Sequence, residues 1–71
     1  MSPNILNQMR ELNSRVSDGI HVQLLWSHED DRVVVAVDDA KTGDQFGIEV
    51  RAHERALDVF HHPFAYAALR A

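Results

Sequence analysis

The sequence predicts a small α+β domain of the order α-β-β-β-α, in which a three-stranded antiparallel meander carries both helices on one face. Two observations predict it. Apolar residues recur at helical spacing near both ends of the chain, and at a spacing of two in three consecutive segments between them. Only short polar loops separate these three segments, so each strand should pair antiparallel with the next. The 71 residues are expected to form one domain, residues 1–71.

A first helix is predicted over residues 3–15. Ser2 suits the N-cap, and Pro3 suits the first helical position. The sequence Ser17-Asp18-Gly19 should end the helix, because glycine readily adopts the left-handed conformation found after a last turn. Its apolar stripe consists of Ile5, Met9, Leu12 and Val16.

Three strands should follow, and their alternation defines a face covered by the helices. The first runs from Ile20 to Ser27, and the second from Arg32 to Asp38 is apolar on both faces, as expected of a central strand. After a loop in which Gly43 should have positive φ, the third strand runs from Phe46 to Arg51. The covered face is predicted to hold Ile20, Val22, Leu24, Trp26, Val33, Val35, Val37, Phe46, Ile48 and Val50.

Helical spacing returns from Ala52 to the end of the chain. Pro63 must interrupt this region because it lacks an N–H donor and clashes with the preceding turn. It also disfavours helical geometry at His62. The sequence leaves open whether one kinked helix or two short helices result. Ile5, Met9, Leu12, Leu57, Phe60 and Phe64 are predicted to pack on the sheet.

Composition restricts the classes of function. Eleven acidic residues against seven basic ones give a net charge of −4, and Lys41 is the only lysine. Such a balance opposes binding to nucleic acids and anionic membranes. The lack of cysteine excludes thiolate chemistry and favours a reducing cytoplasm. No apolar run approaches the length of a membrane helix, and the first residues lack the pattern of a signal peptide, so a cytoplasmic location is expected.

Five histidines are the residues that could carry chemistry. His28 lies in an acidic turn, and the meander should bring His53 to the same end of the sheet. His61 and His62 follow Asp58, and a carboxylate four residues away could orient the His62 imidazole. These four histidines are therefore the candidate metal ligands. We favour a solvated turn and a polar helix break instead, because the chain lacks the spacing of known metal motifs.

The loop containing Asp38, Asp39 and Asp44 superficially resembles a calcium loop. It lacks the alternating acidic order and the closing glutamate, so we interpret it as a solvated turn. No nucleophile triad, phosphate-binding glycine loop or paired catalytic carboxylates can be identified. The sequence therefore predicts no enzymatic activity and no cofactor.

The sheet face opposite the helices is the predicted protein-contact surface. An apolar centre with a polar rim is typical of an interface, although it also fits an ordinary solvated face. We expect a small cytoplasmic non-enzymatic interaction or accessory protein that forms a homodimer. The alternative is a binding module for a divalent metal or for double-stranded RNA. The predicted contact residues are His21, Gln23, Leu25, Val34, Ala36, Glu49 and Arg51.

Two resemblances bear on these expectations. The predicted helix–strand–strand–strand–helix order is similar to that of double-stranded RNA-binding domains, although acidic residues stand where that family uses basic ones. Segments 12–15, 17–20 and 57–67, the last with the sequence Leu-Asp-Val-Phe-His-His-Pro-Phe-Ala-Tyr-Ala, resemble short uncharacterised proteins of high-GC actinobacteria. This second resemblance implies a bacterial cytoplasmic setting.

Overall fold

The computed structural model describes residues 9–70, which form four antiparallel strands followed by two helices. The strand order is β1-β2-β3-β4, so β1 and β4 are the edges of the sheet. All three pairs of neighbouring strands are antiparallel. The elements are β1 (Arg10–Ser17), β2 (Ile20–Ser27), β3 (Arg32–Asp39), β4 (Gln45–Glu49), α1 (Ala56–His61) and α2 (Pro63–Arg70).

The predicted α-β-β-β-α order is wrong, since the observed order is β-β-β-β-α-α. Residues 10–15, which were expected to be helical, belong to β1, and residues 3–8 lie outside the described part of the chain. The reason is the tight turn at Asp18 and Gly19, whose φ angles are 55° and 81°. Positive φ at both central residues is the geometry that joins two antiparallel strands in register. The turn therefore starts a hairpin and does not end a helix.

Strand β1 lacks an apolar alternation because it is an edge strand, and all of its side chains except that of Arg15 are exposed. Asn13 and Arg15 pair with Leu24 and Val22 of β2, so they lie on the helix-covered face although they are polar. Leu12, which was predicted to pack on the sheet, is 51% exposed at a bulge between Glu11 and Asn13. The helical spacing of Leu12 and Val16 was therefore a misleading signal.

The hydrophobic core lies between the helices and one face of β2, β3 and β4. The buried cluster includes Val59 and Phe60 of α1 together with alternating residues of the strands. All of the residues predicted for the covered face belong to this core except Trp26. That side chain is half-buried and its Nε1 donates a 2.8 Å hydrogen bond to Asp31 Oδ1. The core residues of this face are Ile20, Val22, Leu24, Val33, Val35, Val37, Phe46, Ile48 and, directly after β4, Val50.

The C-terminal region forms two short helices, which settles the alternative left open by the sequence. His62 leaves the helical conformation with a φ of −131° and a ψ of 52° before Pro63 begins α2. Phe60 is buried as predicted, whereas Leu57 is 57% exposed and does not pack on the sheet. Among residues 9–70, no helix has the length and apolarity that crossing a bilayer requires.

An arginine of β1 attaches the end of α1 to the sheet. Arg15 Nη2 donates hydrogen bonds to the carbonyl oxygens of Phe60, at 2.9 Å, and of His61, at 3.3 Å. Its guanidinium carbon lies 5.4 Å from the centre of the Phe60 ring. The last carbonyl groups of a helix have no partner within the helix, so Arg15 satisfies two groups that would otherwise need water.

Substitution of Gly19 by valine should destabilise the chain by about 1–2 kcal/mol. Gly19 has positive φ, and an added Cβ would lie 3.4 Å from Lys41 Cγ. Gly19→Asn is the matched control, because asparagine tolerates this conformation far better than a β-branched residue. Urea denaturation of both variants measures the effect. Equal midpoints for the two variants would contradict a conformational origin.

The loop glycine Gly43 has a φ of 79°, which confirms the sequence expectation.

Candidate interaction surface

The sheet face without helices gathers most of the predicted contact residues. The register places Leu25 opposite Val34, and Val34 opposite Glu49. It also places Gln23 opposite Ala36, and His21 of the predicted set lies on the same face of β2. The remaining predicted residue, Arg51, follows β4 and is exposed.

The polar residues of this helix-free face bind one another. Gln23 Nε2 donates a 2.8 Å hydrogen bond to Glu11 Oε1, and Arg32 Nη2 donates one of 2.8 Å to Glu49 Oε1. The hydrogen bond from Arg32 lowers the pKa of the Glu49 carboxyl and raises the pKa of Arg32. At the apolar centre, Leu25 is only 4% exposed, so little of it is available for contact with a partner.

Helix α2 presents a different surface, because its outward side carries no polar side chain. Pro63 is buried, while Tyr66, Ala67 and Arg70 are half-buried on the inner side. A helix at a solvated surface normally has charged or polar residues on its outer side, and one that is apolar all round is normally buried. The exposed residues of α2, which we call the α2 outer face, are Phe64, Ala65, Ala68 and Leu69.

Two residues of the α2 outer face are large and differ in how they are held. Leu69 is 80% exposed near the end of the helix. Phe64 is 47% exposed, and its ring meets that of Phe46 edge-on with 5.5 Å between centres. The sequence predicted that Phe64 packs on the sheet, and the structure shows that nearly half of it remains accessible.

The polar groups of α2 all point towards the rest of the chain. Arg70 forms an ion pair with Glu54, and the two side chains are only 19% and 11% exposed. Tyr66 donates its hydroxyl hydrogen to the Asp58 carboxylate, and this bond raises the pKa of Tyr66. These contacts hold α2 in one orientation, so that its apolar side stays turned outward.

Glu54 links α2 to the end of β4 and should make stability depend on pH. Its Oε1 accepts a 2.9 Å hydrogen bond from the Arg51 backbone N–H, and this bond, with a smaller effect from Arg70, lowers its pKa. A lowered pKa stabilises the folded chain above the ordinary value of 4.5, and the stabilisation is lost as pH falls through the folded-state pKa. Glu54→Gln should therefore be less stable than the wild type at neutral pH.

The difference between Glu54→Gln and the wild type should shrink as pH falls from 4.5 through the lower pKa of the folded state, because the unfolded wild-type chain takes up a proton there before the folded chain does. Urea midpoints measured across this range give the result. Glu29→Gln in the exposed loop between β2 and β3 controls for the loss of one negative charge. A gap that stays constant with pH would exclude the ionised carboxylate as its cause.

Among the strands that the structure describes, none pairs with the outer edge of β4, which lies beside α2. Val50 N–H donates a 2.8 Å hydrogen bond to the Val33 carbonyl. Because bonded and non-bonded pairs alternate in an antiparallel ladder, the N–H groups of Gly47 and Glu49 point away from β3. A groove of about 700 Å³ runs along this edge, lined by residues 46–52 with Ala67 and Arg70.

The histidines proposed as metal ligands do not form a site within residues 9–70. No group of three or more His, Asp or Glu side chains in this region is arranged to hold a metal ion. His28 packs edge-on against Trp26, and His61 packs edge-on against Phe60. His53 and His62 are both exposed.

Asp58 and Asp39, which the sequence analysis considered in connection with metal binding, have structural roles. The Asp58 carboxylate accepts a hydrogen bond from Tyr66, and the structure shows no hydrogen bond between the side chains of Asp58 and His62. Asp39 is 9% exposed, and its Oδ1 accepts hydrogen bonds from the backbone N–H groups of Lys41, at 2.9 Å, and Thr42, at 3.4 Å. This carboxylate therefore shapes the loop between β3 and β4.

Comparison with protein-family models, curated proteins and solved structures found no significant match to this chain. The observed strand and helix order also differs from the order that suggested double-stranded RNA-binding domains.

Proposed function

We propose that this chain is a small, non-enzymatic cytoplasmic interaction protein that self-associates into a homodimer through the α2 outer face. The observation that carries the proposal is that every exposed residue of α2 is apolar. Removal of one large aliphatic or aromatic side chain from water contributes about 1.5–3 kcal/mol, and a two-fold interface uses each such side chain twice.

The size of the chain supports self-association. A domain of this length buries only about 60% of the surface that its unfolded form exposes, so additional burial at an interface is a substantial gain. Within the described residues, the core and the α2 outer face lie on opposite sides of the same short helix. Dimerisation would therefore extend the core of each copy through α2.

The use of the polar groups around α2 supports a non-enzymatic role. Glu54, Asp58, Tyr66 and Arg70 are paired with one another in structural contacts. A catalytic group needs to reach a substrate, whereas these side chains hold the helix in place. The absence of cysteine favours the cytoplasm as the site of this interaction.

Sedimentation equilibrium in the micromolar range tests the proposal. The wild type should show a concentration-dependent dimer, and Leu69→Lys should shift it to monomer, because the charge would have to be desolvated in the interface. The matched control is Val16→Lys. Val16 is similarly exposed, at 71% against 80% for Leu69, but lies in β1 at the other edge of the sheet.

A wild-type chain that stays monomeric throughout this range would refute self-association. If Leu69→Lys and Val16→Lys weakened the dimer equally, the added charge would be the cause, and the α2 outer face would not be the interface. Both positions are highly exposed, so neither variant should lose its fold. Circular dichroism of each variant verifies this.

A further inference from the structure

We propose that the second copy also pairs with the open edge of β4, so that β4 of each protomer runs antiparallel to its counterpart about a two-fold axis at Gly47. One continuous sheet then crosses the dimer. This inference rests on the proposed function, since it specifies the geometry of that dimer. It explains why a strand edge that is unpaired by any residue from 9 to 70 lies directly beside an apolar helix surface.

The two edges of the sheet are not equivalent as pairing surfaces. Strand β1 contains a bulge between Glu11 and Asn13, and bulged edges resist pairing with another strand. Strand β4 is regular throughout its register with β3. Of the two sheet edges formed by residues 9–70, only β4 therefore offers an uninterrupted row of backbone donors and acceptors.

The free part of the β4 edge has defined ends. At its C-terminal end, the Arg51 N–H donates to Glu54 Oε1, and the Arg51 carbonyl accepts a 2.9 Å hydrogen bond from the Glu54 N–H. The next outward-pointing groups after Glu49 are thus already used. The open edge coincides with Gln45–Glu49, and Gly47 is its midpoint.

Pairing about Gly47 makes the strand complementary to itself. Gln45 then lies opposite Glu49 of the partner subunit, which places an amide donor against a carboxylate. On the other face, Phe46 lies opposite Ile48 of the partner subunit, and aromatic–β-branched pairs are favourable across strands. A register moved so that Glu49 is at the axis would instead oppose two like charges.

The same axis brings the α2 helices together. A two-fold axis between antiparallel strands is perpendicular to the sheet, so both copies of α2 lie on the same face of the joined sheet. Helix α2 already contacts β4 through Phe64 and Phe46, which puts it next to the seam. Phe64 of the α2 outer face therefore lies beside the seam, where the second copy can cover it.

Amide hydrogen exchange tests the strand pairing separately from dimerisation. In the monomer, the N–H groups of Gly47 and Glu49 have no sheet partner within the described part of the chain and should exchange rapidly. In the dimer they should exchange at least about tenfold more slowly, since each is bonded across the seam. Measurements at a low and a high protein concentration compare the two states of the same chain.

Charge substitution at Gln45 tests the register. Gln45→Lys faces Glu49 of the partner subunit and should tighten the dimer, whereas Gln45→Glu should weaken it, each by roughly 3- to 30-fold over the two symmetric pairs. Ser14→Lys and Ser14→Glu in β1 make the same charge changes at the other edge and should leave the dissociation constant within about twofold of wild type.

The outcomes separate this inference from the proposed function. A dimer that Leu69→Lys disrupts, but in which the Gly47 and Glu49 amides stay unprotected, would overturn strand pairing and leave the α2 interface intact. Gln45 variants that behave like the Ser14 variants would overturn the register. A strict monomer would overturn both proposals.

Discussion

Phe60→Ala should destabilise the chain by about 3–5 kcal/mol and leave much of it unfolded. The Phe60 side chain is 1% exposed and lies in the core cluster with Val59 and the strand residues. Its removal loses apolar burial and leaves a cavity under α1, which the short helix cannot fill. A chain of this length has roughly 4–10 kcal/mol of total stability, so the loss is a large fraction of it.

Leu57→Ala is the matched control for Phe60→Ala. Leu57 belongs to the same helix but is 57% exposed, so its truncation should change stability by less than about 0.5 kcal/mol beyond the helix propensity difference. Chemical denaturation followed by circular dichroism gives both values. Comparable losses for the two variants would mean that α1 does not pack through Phe60.

The strands from β2 to β4 could be predicted because their burial imposes a period of two on the sequence. Val22 and Leu24, or Val35 and Val37, point to the core on alternate residues, and the loops between them are short. Strand β1 could not be recognised by this criterion, since polar side chains occupy both of its faces. The Asp18-Gly19 turn was the signal that could have found it.

The proposed interaction surface was harder to predict than the fold. Leu25 and Val34 alternate with the core residues, and this alternation places both on the helix-free face. The strand register does not reveal that Leu25 is nearly buried. The run of apolar residues in α2 is visible in the sequence. From the sequence, this run indicated that Phe64 packs in the core. Only the structure shows that α2 contacts the sheet through one side and leaves its other apolar side exposed.

Arg15→Met should destabilise the chain by about 1–2 kcal/mol. The hydrogen bonds to the Phe60 and His61 carbonyls use a charged donor, and such bonds contribute about 1.5–3 kcal/mol. Against this, Arg15 Nε is buried and has no hydrogen-bond partner among the described residues, which costs about 1–3 kcal/mol. The contact with the Phe60 ring adds about 0.5–2 kcal/mol, so the net effect of the guanidinium remains favourable.

Arg10→Met is the matched control for Arg15→Met, because Arg10 lies in the same strand but is exposed. It should change the urea midpoint little, since surface substitutions usually stay within about 0.5 kcal/mol. Amide exchange of the last turn of α1 should also accelerate in Arg15→Met and not in Arg10→Met, because this end of the helix would open more often. If the two methionine variants were equally stable, the free-energy cost of burying Arg15 Nε would cancel the gain from its two hydrogen bonds to carbonyl groups. The packing of Phe60 would then be sufficient to hold α1 on the sheet.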